Sequence, residues 1–205
     1  MIRSLWAAAA AAAATAFVGP ASAAELTLGV YAHDVSFLGA LVGSGAADRE
    51  QGADIQLGVR SDRIEALRLI GSPQAHAFVS VNTNRTSDFA AAGLAWPIPL
   101  PGGLYLRPGL GLAYTDGKAG LPPVNAPGLS PAEIAYRLNL YETRIDFGSR
   151  MLFEPEIALG ARISSRWKGE LSWVHISNGE IFHHGKNQGL DDAGVRLVYT
   201  LGAAP

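Results

Sequence analysis

Apolar and polar residues alternate one for one along several stretches of this chain, the signature of β-strands with two unlike faces. Ile55, Leu57 and Val59 alternate with Asp54, Gln56, Gly58 and Arg60. Leu104, Leu106, Leu110 and Leu112 alternate with Tyr105, Arg107, Gly109 and Gly111. Phe153, Pro155, Ile157, Leu159, Ala161 and Ile163 face away from Glu154, Glu156, Ala158, Gly160 and Arg162. Near the end, Val195, Leu197, Tyr199 and Leu201 oppose Gly194, Arg196, Val198 and Thr200. Weaker segments of the same kind lie at 25–32, 75–82, 87–97 and 167–177. The pattern predicts eight strands, each close to the roughly 9–11 residues that cross a bilayer at a tilt.

The polar face decides between β architectures. It carries full charges of both signs, on Arg60, Arg107, Glu154, Glu156, Arg162, Glu170 and Arg196. A soluble sandwich would leave that face in water, and a lipocalin-type barrel would turn its apolar face inward around a ligand. A small closed barrel in a membrane turns the charges inward to pair, and the apolar face meets lipid. The apolar face recurs on nearly every predicted strand, and no long helical pattern is present to cover a sheet. The expected fold is therefore all-β, an eight-stranded antiparallel transmembrane β-barrel occupying 24–205.

The connections follow from the strands. The outer ones are 33–51, 83–86, 115–151 and 178–191, and the inner ones 61–73, 98–102 and 164–166. Inner turns of such barrels are usually short, and 61–73 is long for one. Pro97, Pro99 and Pro101 mark a turn rather than a central strand. Ser130-Pro131-Ala132-Glu133 predicts a short surface helix within 115–151, with Ser130 as its cap and Pro131 at its first position. No internal repeat is visible.

Composition changes the picture mainly at the beginning. Arg3, the alanine-rich apolar run from Leu5 to Val18, and Ala21-Ser22-Ala23 read as a signal peptide over 1–23, cut after Ala23 or Ala24. The run is too short and alanine-rich for a spanning helix. Export combined with the barrel pattern places the chain in the outer membrane of a Gram-negative bacterium. The formal charge of −2 argues against a nucleic-acid partner. The absence of cysteine removes disulfides, thiol nucleophiles and cysteine metal sites. Trp96, Trp167 and Trp173 are expected in interface girdles or on the lipid face.

The chemistry concentrates in Trp173-Val174-His175-Ile176-Ser177-Asn178-Gly179 and the following Asn187-Gln188-Gly189-Leu190-Asp191. His175 and Ser177 are two apart on a strand, so both point to one face, with α-carbons about 6.5–7 Å apart. A serine hydroxyl needs a base to become nucleophilic, and histidine titrates in the right range. Asp191 is the acid expected to orient the imidazole, provided that the loop before it folds back. The pair shares parity with Leu171 and Trp173 and so faces outward, where a hydrolase meets a lipid substrate. His183 and His184, with Glu180 and Asp191, offer metal-type ligands, but their spacing matches no established pattern. They read as a solvated loop, and neither a metal nor another cofactor is expected.

His-x-Ser-Asn at the end of a penultimate strand, followed by Asn-x-Gly-Leu-acid, resembles the lipid A 3-O-deacylases of the PagL type. The likeness is sharpest over 171–200. It implies an eight-stranded outer-membrane barrel that hydrolyses the ester holding the 3-O-linked hydroxyacyl chain of lipid A. Carried over by position, it implies Ser177 as nucleophile, His175 as general base and Asp191 as the acid. Asn187 would lie in or near the oxyanion hole, supported by Asn178 and Gly179. Asp191 stands where the family carries glutamate, with Asp192 adjacent, and the preceding loop is longer. The implied partners are lipid A (lipopolysaccharide), the outer membrane and, as an open option, a second copy in a homodimer. Two rivals share the fold: a structural or adhesive barrel without catalysis, and a lipid A acyltransferase.

Overall fold

The computed structural model describes residues 23–36 and 48–201. The signal peptide expected over 1–23 lies outside them except for its last residue.

Eight long strands form, as the alternation predicts: β1 (Ala23–Ala32), β2 (Ala53–Arg63), β3 (Gln74–Asn82), β4 (Phe89–Ala95), β5 (Leu104–Thr115), β6 (Met151–Arg162), β7 (Trp167–Ile176) and β8 (Leu190–Thr200). Each pairs antiparallel with the next, and β8 pairs back onto β1. The sheet closes, so no strand is left with an unpaired edge. A two-residue ladder, Ile98–Pro99, lies against β5 where the proline-rich turn leaves β4. Among the described residues no helix is long and apolar enough to cross a membrane.

The two faces separate as the charges require. Leu57, Leu110, Leu171 and Val195 stand more than half exposed on the outside. Inside, Arg60 makes a two-pronged contact with Glu170 at 2.8 and 2.7 Å. Arg107 reaches Glu156 at 2.8 Å, and Arg196 reaches Glu156 at 3.2 Å and Glu170 at 3.4 Å. The Tyr105 hydroxyl donates to Glu170 at 2.7 Å. Desolvated ions are tolerated only when partners surround them, and in this layer Glu156 and Glu170 each lie within 4 Å of at least two arginines. Arg162 departs from the expectation of inward pairing. As the last residue of β6 it is exposed at the inner mouth, bordering a cavity of roughly 400 Å³ with Arg60, Arg63 and Lys168. There water solvates its guanidinium, so it needs no carboxylate.

Above the ionic layer the interior turns apolar. Tyr31, Phe78, Phe89, Leu152, Val174, Ile176 and Leu190 cluster with Ile145 and Phe147, which descend from the 115–151 connection. That connection also carries α1 (Pro131–Thr143), whose first turn is closed by Ser130 accepting from the Glu133 amide at 3.3 Å. The long inner connection between β2 and β3 winds into a 3-10 segment, Glu65–Ile70, and the Trp96 indole donates to the Ile70 carbonyl at 2.6 Å. Trp167 packs on Tyr199 with ring centroids 4.7 Å apart, among the inner-end aromatics expected of a girdle.

Candidate active site

The register of β7 against β8 creates the central feature. His175 lies directly opposite Asp191, and Val174 opposite Asp192. Opposed residues on antiparallel strands share a face. Asp191 therefore turns outward with His175, and Asp192 turns into the barrel. His175 Nδ1 and Asp191 Oδ1 are 2.6 Å apart, with Asp191 fully buried. The sequence pattern predicts Asp191 at the end of a loop, 178–191, that folds back. It is instead the second residue of β8, brought to the histidine by strand pairing.

Ser177 follows β7 and extends its pairing by one bridge to Phe153 on β6. Its amide donates to the Phe153 carbonyl at 3.2 Å and its carbonyl accepts from the Phe153 amide at 2.7 Å. Among the described residues no hydrogen bond joins the Ser177 hydroxyl to His175. The structure thus brings acid and imidazole into contact and holds the serine backbone two residues further along the same face. Catalytic hydrogen bonds of this type are often long before substrate binds. His175 and Ser177 were expected to lie open to lipid. Their parity is outward, but both are covered, at 6% and 9% exposure. The loop after β7 returns over this face, with Phe182 stacked on Phe153 at 5.0 Å between centroids.

Two asparagines shape that loop. Asn178 is fully buried, and its amide group donates to the carbonyls of Phe147 and Lys186, both at 2.5 Å. Its side-chain oxygen accepts from the Glu180 amide at 2.6 Å. Both amide protons are committed, so Asn178 builds the loop and has no donor to spare. Gly179 sits at φ +60°, where an L side chain is disfavoured. Its amide donates to Asn187 Oδ1 at 3.0 Å, which orients the Asn187 amide group. Gln188 ties the loop outward, accepting from the Asp146 amide and from Arg49, each at 2.8 Å.

A family model described as lipid A 3-O-deacylase (PagL) matches residues 99–200, the span holding β5 to β8 and every residue above from His175 to Asp191. The chain belongs to the PagL family. Its barrel is similar to the crystal structure of the outer membrane enzyme PagL, with a TM-score of 0.54 at 12% identity, covering 86% of this chain and 99% of that one. It is also similar to Neisserial surface protein A (TM-score 0.49, 8% identity, 88% and 98% covered). The Yersinia pestis outer membrane protein Ail matches at a TM-score of 0.39 and 9% identity, with 86% and 99% covered. No curated protein sequence matches the chain. The protein resides in the outer membrane of a Gram-negative bacterium.

In this PagL-family barrel, His183 and His184 are exposed and join no cluster of metal-type ligands among the described residues. Two such clusters lie inside instead, His33 with Asp54 and Asp192, and His76 with Glu154 and Glu156. His76 Nε2 is 3.1 Å from Glu154, and the neighbouring arginines account for Glu156. The first cluster has no such arginine. His33 instead has acidic neighbours on both ring nitrogens, Glu50 at 3.2 Å, Asp54 at 2.9 Å and Asp192 at 3.5 Å. Sequence reading missed His33, although the inward parity of Asp54 at the outer end of its strand was a signal.

Proposed function

We propose that the chain is a serine esterase that removes the 3-O-linked hydroxyacyl chain from lipid A. The observation that carries this reading is the His175–Asp191 contact on the outward face, two residues from Ser177 and at the outer end of the strands. Asp191 accepts the Nδ1 proton of His175, so the lone pair resides on Nε2. Nε2 takes the proton from Ser177 as its oxygen attacks the ester carbonyl. The tetrahedral oxyanion needs a donor, and the Asn187 amide nitrogen serves, since its oxygen is already held by Gly179. His175 then returns the proton to the departing sugar oxygen, and water attacks the acyl-serine by the reverse path. All of these groups come from one chain, so the chemistry does not require a homodimer.

Mass spectrometry of lipid A from cells expressing the protein tests the reading. Loss of one hydroxyacyl chain is the expected result. Gain of an acyl chain would make it a transferase, and unchanged lipid A would leave a non-catalytic barrel.

The register predicts a ranking of the two aspartates. Asp191→Ala should lower the deacylation rate by on the order of 10³–10⁴, as loss of an orienting acid does elsewhere. Asp191→Glu, which restores the family's own acid, should recover much of it. Asp192→Ala should reduce the rate per folded molecule far less, because its side chain points away from His175. Rates on purified lipid A in detergent decide the matter, and the reverse ranking would place the acid at 192.

A further inference from the structure

At the outer end of the barrel interior, three strands converge on a pocket unrelated to the Ser177 face. His33 follows β1, Asp54 is the second residue of β2 and Asp192 lies near the start of β8. His33 Nδ1 is 2.9 Å from Asp54 Oδ1 and 3.5 Å from Asp192 Oδ1, and all three side chains are fully enclosed. We propose that this pocket binds a divalent transition-metal ion, through His33 Nδ1, Asp54 and Asp192, and that the ion fastens β1, β2 and β8 together. The inference is independent of the esterase reading.

Four observations support a cation here. First, Asp192 is completely buried, yet neither of its carboxylate oxygens accepts a hydrogen bond, and His33 Nδ1 makes none despite its short distance to Asp54. Buried polar atoms are rarely left without partners, and one ligand atom from each of His33, Asp54 and Asp192 lies within 4.8 Å of the other two.

Second, the other nitrogen of His33 is engaged from behind. Nε2 lies 3.2 Å from Glu50 Oε2, and Glu50 is held in turn by the Ile145 amide on its other oxygen at 3.2 Å. A carboxylate taking the proton of one ring nitrogen turns the lone pair of the other toward the pocket, the arrangement usual behind metal-bound histidines. Asp54 is steadied likewise, accepting from Ser80 at 2.7 Å and from Asn82 at 2.9 Å.

Third, three buried carboxyl groups face one imidazole, and among the described residues no lysine or arginine pairs with any of them. The segment 37–47 between His33 and Glu50 contains no charged residue that could supply the countercharge.

Fourth, the spacing suits an ion. Ligands about 2.0–2.2 Å from a tetrahedral centre stand about 3.3–3.6 Å apart, and the His33–Asp192 separation falls there, with Asp54 slightly inside. One imidazole with carboxylates favours zinc or manganese over calcium or magnesium, which prefer all-oxygen sites.

The test uses the full-length barrel, stripped with chelator, folded in detergent and dialysed against Zn²⁺ or Mn²⁺. Elemental analysis should return about one equivalent of either metal per chain, and saturating metal should raise the thermal unfolding temperature by about 5–10 °C. Asp192→Asn and, separately, Asp54→Asn should each lose at least tenfold in affinity and most of the thermal shift. A His183→Ala/His184→Ala double variant should bind as the parent does. Should either aspartate variant fail to fold, the parent's stoichiometry and the His183/His184 variant remain decisive. No stoichiometric uptake by the parent, unchanged binding in a folded Asp192→Asn variant, or loss of the ion in the His183/His184 variant would each overturn the proposal.

Discussion

Ser177→Ala and His175→Ala should each reduce lipid A deacylation by on the order of 10⁴–10⁶, the range seen when a nucleophile or its base is removed from a triad. In the proposed mechanism Ser177 supplies the attacking oxygen and His175, paired with Asp191, takes its proton. The double variant should be scarcely slower than either single one, because residues acting as one unit are strongly non-additive. Folding should survive, since the two side chains lie on the covered outer face near the end of β7, away from the charged interior. The measurement is the rate on purified lipid A, alongside electrophoretic heat-modifiability as the check on folding. A folded Ser177→Ala variant with a near-normal rate would remove the serine mechanism, and with it the significance of the His175–Asp191 contact.

The largest effect on stability is expected from Glu170→Ala. One carboxylate there receives Arg60 through two bonds, Arg196 at 3.4 Å, Arg107 at 3.6 Å and the Tyr105 hydroxyl. Deleting it leaves the buried Arg60 guanidinium without its main counterion and weakens the pairing of Arg107 and Arg196, a change that typically destabilises by about 3–5 kcal/mol. Glu170→Gln keeps hydrogen-bond acceptance and should fall between the variant and the parent. Arg162→Ala removes an equally charged residue from the inner mouth, where water already solvates it, and should leave the unfolding midpoint unchanged. Urea unfolding in lipid vesicles, followed by tryptophan fluorescence, separates these cases. If Glu170→Ala unfolds with the parent, the ionic layer is not what holds the barrel's centre.

The contrast between Glu170 and Arg162 shows how far alternation can be read. Parity predicts which side of a strand a residue occupies, because successive side chains point to opposite faces. It does not predict depth along the barrel, and depth decides whether an inward charge is enclosed or reaches water. The same limit applied to His175 and Ser177. Their outward parity was legible, but not their burial under a loop that Asn178 anchors to the distant Phe147 and that Asn178–Lys186 and Gly179–Asn187 bonds close on itself.

The chain alone determined the eight strands, their inward and outward faces, the closed barrel and the neighbourhood of the site. These follow from local rules: a two-residue period, turn residues and the short spacing from His175 to Ser177. Tertiary structure decided which aspartate meets the histidine. Asp191 and Asp192 are adjacent and chemically identical, and only the β7–β8 register puts one opposite His175 and turns the other inward. It also decided the His33, Asp54 and Asp192 pocket, whose members come from opposite ends of the sequence. They meet because of the register in which β8 pairs with β1 and β1 with β2, which no local pattern encodes.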